Sequence, residues 1–272
     1  MRSSPLDPID PAALVRAGHL AHLEHVAEAG STMDLARQFA GDPASRLPLA
    51  VVADRQVQGR GRRGASWWQA PGSLAVSVVV DATSLGGAHL PPATWSLACG
   101  VALAETIRTL APGIEAGIRW PNDVEVDAKK IAGILVETAP HGRVIFGVGV
   151  NTSGSATAAP KAIRHRVATM PDITGRALPR QSLLAEFVPR LLELLAMMAS
   201  APSQLGSRYR PLCCLTGRTI TIHVAALRHT GICQGIADDG RLILDTAAGQ
   251  MLFASGSLTP PEDVWHAAAD DA

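Results

Sequence analysis

Long apolar runs are missing from this sequence. Nothing in its 272 residues approaches the roughly 18 consecutive apolar residues of a membrane helix. The opening MRSSPLDPIDPAALV has no continuous apolar segment of signal-peptide length. A soluble, cytosolic protein is expected. An excess of one charge is missing too: 24 Lys and Arg stand against 24 Asp and Glu. A dedicated duplex-DNA binder usually carries a basic excess over one face, so an arginine cluster here reads as a local site. Cysteine is scarce and unpatterned. Cys99, Cys213, Cys214 and Cys233 form no CxxC pair, and the adjacent Cys213 and Cys214 are poorly placed for an ordinary disulfide or a shared metal, which reads as reduced thiols. There is no internal repeat, and low complexity is confined to the alanine-rich end.

The chain is long enough to bury a proper core, as one large domain or two smaller ones. Its N-terminal stretch to about residue 18, rich in proline and small residues, is expected to be a loose lead-in, with no room before Ser31 for a full helix-turn-helix domain. HLAHLEH spaces His19, His22 and His25 three apart, compatible with helix or strand; a zinc site would need further ligands, so they read as packed or solvated histidines. STMDLARQFA opens with Ser31 and Thr32, with Asp34 at capping-box spacing from Ser31, and predicts a short helix. LAVVADRQVQG, which runs into a glycine-arginine loop, and LAVSVVVD, residues 74–81, just beyond it, predict two strands joined by that loop. Leu97, Val101, Ala104, Ile107 and Leu110 follow helical spacing, which Pro112 and Gly113 stop.

KKIAGILVET and RVIFGVGVNT, separated by the turn residues PHGR, predict an antiparallel hairpin. In its second arm Gly147 and Gly149 alternate with bulky residues, leaving one face bare for a ligand or for a packed helix. Residues 152–180 read as a connection with one short element. Gln181 to about Ala199 reads as an amphipathic helix kinked or split at Pro189, and APSQLGSRYRPL as a linker. From residue 211 short runs with turn residues between them, DDG at 238–240 the clearest, predict a small all-β module.

One stretch carries charge on a permissive backbone. GRGRRGASWW, residues 59–68, sets Arg60, Arg62 and Arg63 among Gly59, Gly61 and Gly64 and ends on Trp67 and Trp68. Glycine allows positive φ and close approach to a ligand, while planar guanidinium forks match phosphate or carboxylate. The loop is expected to be mobile when empty and ordered by an anion; nucleic acid, a nucleotide phosphate and plain solvated charge all fit these residues.

Taken in order, GRGRRG at 59–64, RWPND at 119–123, KKIAGILVE at 129–137 and FGVGVN at 146–151 resemble the catalytic core of biotin protein ligases, and the likeness runs from STMD at 31 into the C-terminal β module. It is nearest to the short monofunctional type, without the N-terminal DNA-binding domain of bifunctional repressors. The resemblance implies an α+β fold: a mixed β-sheet catalytic domain backed by helices, of the class II aminoacyl-tRNA synthetase and biotin ligase type, over residues 1–210, and a small SH3-like β-barrel over 211–272. The implied substrates are biotin and ATP with Mg2+. The implied partner is the biotin carboxyl carrier domain of acetyl-CoA carboxylase or a related carboxylase, with neither DNA nor a membrane involved and a homodimer as one form of assembly. Lipoate and octanoate transferases share the architecture but lack GRGRRG and RWPND, and neutral charge argues against a nucleic-acid regulator.

The resemblance also implies roles. Ser31 and Thr32 would meet the ureido end of biotin, with Met33 next to them where several relatives have an amide, and Gln56 would hydrogen-bond biotin. Arg60, Gly61 and Arg62 would cover biotin and the phosphates, Arg62 retaining the intermediate. Trp67 would stack near the adenine, with Trp68 read as core. Asn122 and Asp123 would hold the nucleotide side and the attacking lysine or metal. Lys130 would bind the reacting carboxylate and α-phosphate beside Gly133, and Asn151 would lie near the adenine. Catalysis would rest on Lys130, Arg62 and Asp123. Two readings need no family: Ser31 and Thr32 can simply cap the helix, and only one of Lys129 and Lys130 can face a pocket from a strand, Lys130 being the family position. Arg63 and Arg119 read as solvent-facing. No basic residue follows Ser257 and Leu258, so help from the tail to the adenylate is not expected.

Overall fold

The computed structural model describes residues 7–85 and 92–258. A seven-stranded sheet of β1 (His22–Ala29), β2 (Leu49–Gln56), β3 (Leu74–Asp81), β4 (Gly117–Arg119), β5 (Asp123–Val126), β6 (Lys129–Ala139) and β7 (Arg143–Val150) runs in the order β1-β2-β3-β7-β6-β5-β4. β1 and β2 are parallel and every other pairing is antiparallel, so the sheet is mixed. Its large core lies against α3 (Pro92–Leu110), with α5 (Arg180–Ser200) packed on α3. A smaller core on the opposite face seats α2 (Thr32–Gly41) through Met33, Ala36 and Ala40 against Leu49, Val51, Val79 and Ile145. Both faces of β3 are thus covered, which is why LAVSVVVD is almost continuously apolar and not alternating.

Three stretches expected to be irregular hold short elements among the described residues, which begin at Asp7. The lead-in holds α1 (Pro11–Arg16), capped by Asp10, whose Oδ1 accepts from the Ala13 amide at 2.9 Å. Proline at the first helical position suits its missing N–H, and buried Leu14 joins the core beside β1. Between 152 and 180 there are two short elements: a 3-10 turn at Ala156–Ala158 and α4 (Met170–Thr174), held by a reciprocal capping box of Thr169 and Asp172. The expected linker holds α6 (Gln204–Tyr209) and a 3-10 turn (Arg210–Leu212), because Leu205, Tyr209 and Leu212 give it an apolar face to bury.

Of the kink or split expected at Pro189, the split does not occur: α5 runs from Arg180 to Ser200 through it, although proline removes a helical hydrogen bond there. HLAHLEH enters a strand, where His22 meets Glu24 at 3.3 Å and His25 meets Asp54 at 3.0 Å. The side chain of Ser31 caps α2, while Asp34 takes no part in a capping box and pairs with arginines.

The C-terminal module is an antiparallel sheet of β8 (Thr219–Val224), β9 (Leu227–Ile236), β10 (Leu242–Thr246), β11 (Gly249–Phe253) and β12 (Ser257–Leu258), in the order β11-β10-β9-β8-β12. Gly240 turns the β9–β10 corner at φ +84°. β12 returns to β8, and among the described residues no β11–β12 ladder closes the circle. The module joins the main core directly: the Cys214 amide donates to the Ile118 carbonyl at 3.0 Å, and Ile220, Leu242 and Leu244 share one buried cluster with α3.

Candidate active site

Three glycines clear the floor. A Cβ on Gly147 would stand 2.5 Å from Met33 Sδ, and one on Gly149 2.4 Å from the Trp67 ring. At Gly133 it would lie 2.9 Å from the same ring. The bare face of the β6–β7 hairpin therefore receives both α2, through Met33, and the arginine loop, through Trp67. Only glycine leaves that space.

Above this floor is a cavity of about 200 Å³. Ser31, Thr32, Met33 and Gln56 line one end, Arg60, Gly61, Arg62 and Trp67 form the roof, and Asn122, Asp123, Lys130 and Gly133 line the other end. Ser31 both caps α2, accepting from the Met33 amide at 3.3 Å, and lines the cavity. The Thr32 hydroxyl accepts from Ser77 at 2.8 Å, and its amide donates to Gln56 Oε1 at 2.9 Å. Ser77 escaped the sequence reading, although it is the one polar residue inside an apolar strand. Buried completely, it fixes Thr32.

The roof folds on itself: the Gly61 amide donates to the Ala65 carbonyl at 2.7 Å and that of Trp67 to Gly59 at 2.9 Å. Arg63 turns the loop with φ +55°. Each arginine has a different address. Arg60 Nη2 lies 2.8 Å from Asp34 on α2. Arg62 Nη1 donates to Asn122 Oδ1 at 3.1 Å. Arg63 Nη1 donates to Ser257 Oγ at 3.0 Å, so it is exposed yet tied to the C-terminal module. Burial, and then the neighbouring Arg63 charge, holds the Arg62 pKa below its ordinary value.

Lys130 Nζ lies 2.6 Å from Asp123 and 5.5 Å from the centre of the Trp67 ring, while Lys129 is exposed. Lys130, Asp123 and Trp67 also border a second cavity of about 270 Å³. Asn151 lies there, outside the first cavity, almost fully buried. Its amide nitrogen donates to Ala168 at 3.0 Å, but its Oδ1 has no partner, and neither does the buried Trp67 Nε1. Buried polar atoms without partners are costly, so both point to a polar ligand. Two readings are corrected here. Trp68 is half-buried in the wall of this cavity and is not core, and Arg119, only 14% exposed, faces it beside Glu125 at 3.8 Å. Burial raises the Glu125 pKa, and Arg119 opposes that rise. Glu125 and Leu258 line the same cavity and were not foreseen; a charged residue at the centre of the apolar-flanked DVEV was the only signal for the first. The residue after Leu258 lies outside the described chain.

Residues 29–153 match the biotin/lipoate A/B protein ligase family, and residues 217–257 match the biotin protein ligase C-terminal domain. The biotin–[acetyl-CoA-carboxylase] ligase of Mycobacterium tuberculosis is 31% identical over 245 residues, covering 87% of this chain and 88% of that protein. The chain belongs to the biotin protein ligase family. The bifunctional ligase/repressor BirA of Escherichia coli is 30% identical over 207 residues, 72% of this chain and 61% of that protein. The Aquifex aeolicus family member solved with biotin and ATP superposes with a TM-score of 0.76 at 25% identity, covering 87% of this chain and 97% of that one. Among the described residues no helix is long and apolar enough to cross a membrane.

Proposed function

We infer that the two joined cavities perform the chemistry of the family: ATP-dependent activation of biotin to biotinyl-5′-AMP, then transfer of biotin to a carrier lysine. The single observation that carries this reading is that residues from motifs far apart in the sequence line one cavity, with Lys130 and Asp123 at the passage to a second that holds an unpartnered Asn151 oxygen. The finer assignment is biotin–[biotin carboxyl-carrier protein] ligase, EC 6.3.4.15. Its partner would be the biotin carboxyl carrier domain of acetyl-CoA carboxylase or of a related carboxylase.

The Ser31–Met33 and Gln56 end suits the ureido head of biotin. Gln56 spends its oxygen on Thr32, which leaves its amide nitrogen as a donor to a ligand carbonyl. The valerate carboxylate then reaches Lys130, and the adenine lies over Trp67 with its exocyclic amine on Asn151 Oδ1. In the first step a carboxylate oxygen attacks the α-phosphate and pyrophosphate leaves. Lys130 and Arg62 offset the negative charge that develops there, and fixed donors in a site closed to water do this most effectively. Asp123, released from Lys130, receives the carrier lysine, whose amine displaces AMP from the acyl group.

Among the described residues no three or more His, Cys, Asp or Glu side chains gather as a metal cage. Mg2+ commonly takes one or two carboxylates together with substrate phosphates, and Asp123 at the junction fits that donor set. The ion would arrive with ATP and offset phosphate charge.

We place the catalytic domain at residues 1–210 and the C-terminal module at 211–272. Four free thiols and the need for ATP suit the cytoplasm. Segment 213–214 covers the β4 edge, so a dimer formed sheet to sheet would use β1. Calorimetry with biotin, lipoate and ATP, alongside pyrophosphate release, tests the assignment. Biotin binding with no response to lipoate is expected; binding of lipoate alone would move the chain to the other branch of the family.

A further inference from the structure

Arg60 lines the cavity, yet its guanidinium is committed elsewhere. It lies 2.8 Å from Asp34 Oδ1 and 4.0 Å from Glu137 Oε1. Arg37 spans the same two carboxylates, at 2.9 Å from Asp34 and 2.5 Å from Glu137. Two arginines and two carboxylates thus close a neutral ring that joins three elements: the roof loop through Arg60, the first turns of α2 through Asp34 and Arg37, and β6 through Glu137. The ring borders the cavity through Arg60, while Asp34, Arg37 and Glu137 lie outside its lining. All four side chains are partly exposed. Single exposed pairs add little stability, whereas a network fixes geometry. Arg62, by contrast, is half-buried and donates to a neutral residue of the cavity, Asn122.

We propose that Asp34 and Glu137 are positioning residues that anchor the roof loop through Arg60, leaving Arg62 as the loop cation that meets the ligand's charge. The identity of that ligand rests on the function inferred above; the anchoring does not. The lid arginines then divide their work by address, and losing the anchor loosens the biotin end of the roof first.

The test compares Asp34→Asn/Glu137→Gln, Arg60→Gln, the combination of all three, and Arg37→Gln. One readout is tryptic cleavage after Arg62 and Arg63 in the protein without ligand; the other is the KM for biotin in pyrophosphate release. Residues acting through one contact give non-additive effects, commonly worth about 0.5–3 kcal/mol of coupling. The carboxylate variant is therefore expected to be cut several-fold faster and to show a biotin KM raised roughly tenfold, with kcat within about twofold of wild type. Arg60→Gln should match that KM rise, and the combination should be no worse. Arg37→Gln breaks the ring but leaves Arg60 its 2.8 Å contact with Asp34, and should be cut at a rate between those of wild type and the carboxylate variant. Unchanged cleavage in the carboxylate variant overturns the proposal. So does an Arg60→Gln effect that adds to the carboxylate effect, or a kcat loss seen in Arg60→Gln alone, since either makes Arg60 a ligand contact. A wild type that releases no pyrophosphate would overturn the inferred function, while the cleavage comparison would still decide the anchor.

Discussion

Lys130 and Asp123 face each other at 2.6 Å across the β5–β6 ladder, where the two cavities meet. A cation so paired is ready to exchange one carboxylate for another, or for a phosphate, without new desolvation. Lys130→Ala should therefore lower biotin-dependent pyrophosphate release by roughly 100- to 1000-fold, the usual loss when one fixed donor to developing charge is removed. Lys129→Ala, on the exposed face of the same strand, should stay near wild type. Equal losses in the two variants would show that the strand, and not the pocket lysine, is at issue.

Gly149→Ala tests the floor. Its Cβ would enter the space of the Trp67 ring, 2.4 Å from the nearest ring carbon. Overpacking of this kind costs about 1–3 kcal/mol when the neighbour cannot yield. Trp67 can yield, because it stands on a loop. The expected result is a displaced indole, with ATP affinity reduced about tenfold for each 1.4 kcal/mol and melting temperature little changed. Calorimetric titration with ATP and tryptophan emission read the two effects separately. Full ATP affinity would mean that Trp67 does not shape the nucleotide cavity.

Acid should weaken the fold through Asp54. Burial alone would raise this carboxyl, but hydrogen bonds with His25 and Arg180 outweigh burial and hold its pKa below the ordinary value. A carboxylate depressed by folding contributes stability that is present above its unfolded pKa, near 3.9, and is lost as pH falls through the folded value. Arg180 is almost completely buried, so Asp54→Asn leaves a buried charge short of its partner and should cost about 3 kcal/mol at neutral pH. Because wild type itself protonates Asp54 in acid, the gap should narrow below about pH 4. Denaturant melts at pH 7 and pH 3 check the sign; a gap that widens in acid would contradict it.

Parts of this site were legible because they obey local periodicity. Strand alternation allowed only one of Lys129 and Lys130 to face a pocket, the family resemblance pointed to Lys130, and the glycines of FGVGV announced a bare face. The partners were not legible, because they come from long-range pairing. β3 meets β7 only after the chain has built α3 and β4 to β6; Ser77 meets Thr32 because α2 packs on β3, and Arg62 meets Asn122 because the roof loop reaches the β4–β5 turn. Glu125 and Arg119 come together through the short β4–β5 ladder. Leu258 reaches the second cavity because β12 pairs with β8, a contact no window of neighbouring residues contains. The missed helices are a different case. Asp10 before Pro11 is a clear start signal, but α1 and α6 have six residues each, and elements that short are held by tertiary burial more than by propensity.

Arg62→Gly separates retention of the intermediate from its synthesis. Arg62 in the roof donates to Asn122 in the cavity lining, and its pKa is held down first by burial. A guanidinium in that position gains when it meets the carboxylate and phosphate oxygens of an adenylate. Synthesis draws on Lys130 as well, whereas closure against water depends on the roof. The variant should therefore still release pyrophosphate, at a reduced rate, but let biotinyl-5′-AMP escape. Free adenylate acylates exposed lysines without regard to sequence. With biotin, ATP and albumin as bystander, a biotin blot should show labelling of albumin well above wild type, and the Asp34→Asn/Glu137→Gln variant should fall between the two, because its Arg62 is intact on a loosened roof. A variant inert in pyrophosphate release would instead assign Arg62 to the first chemical step.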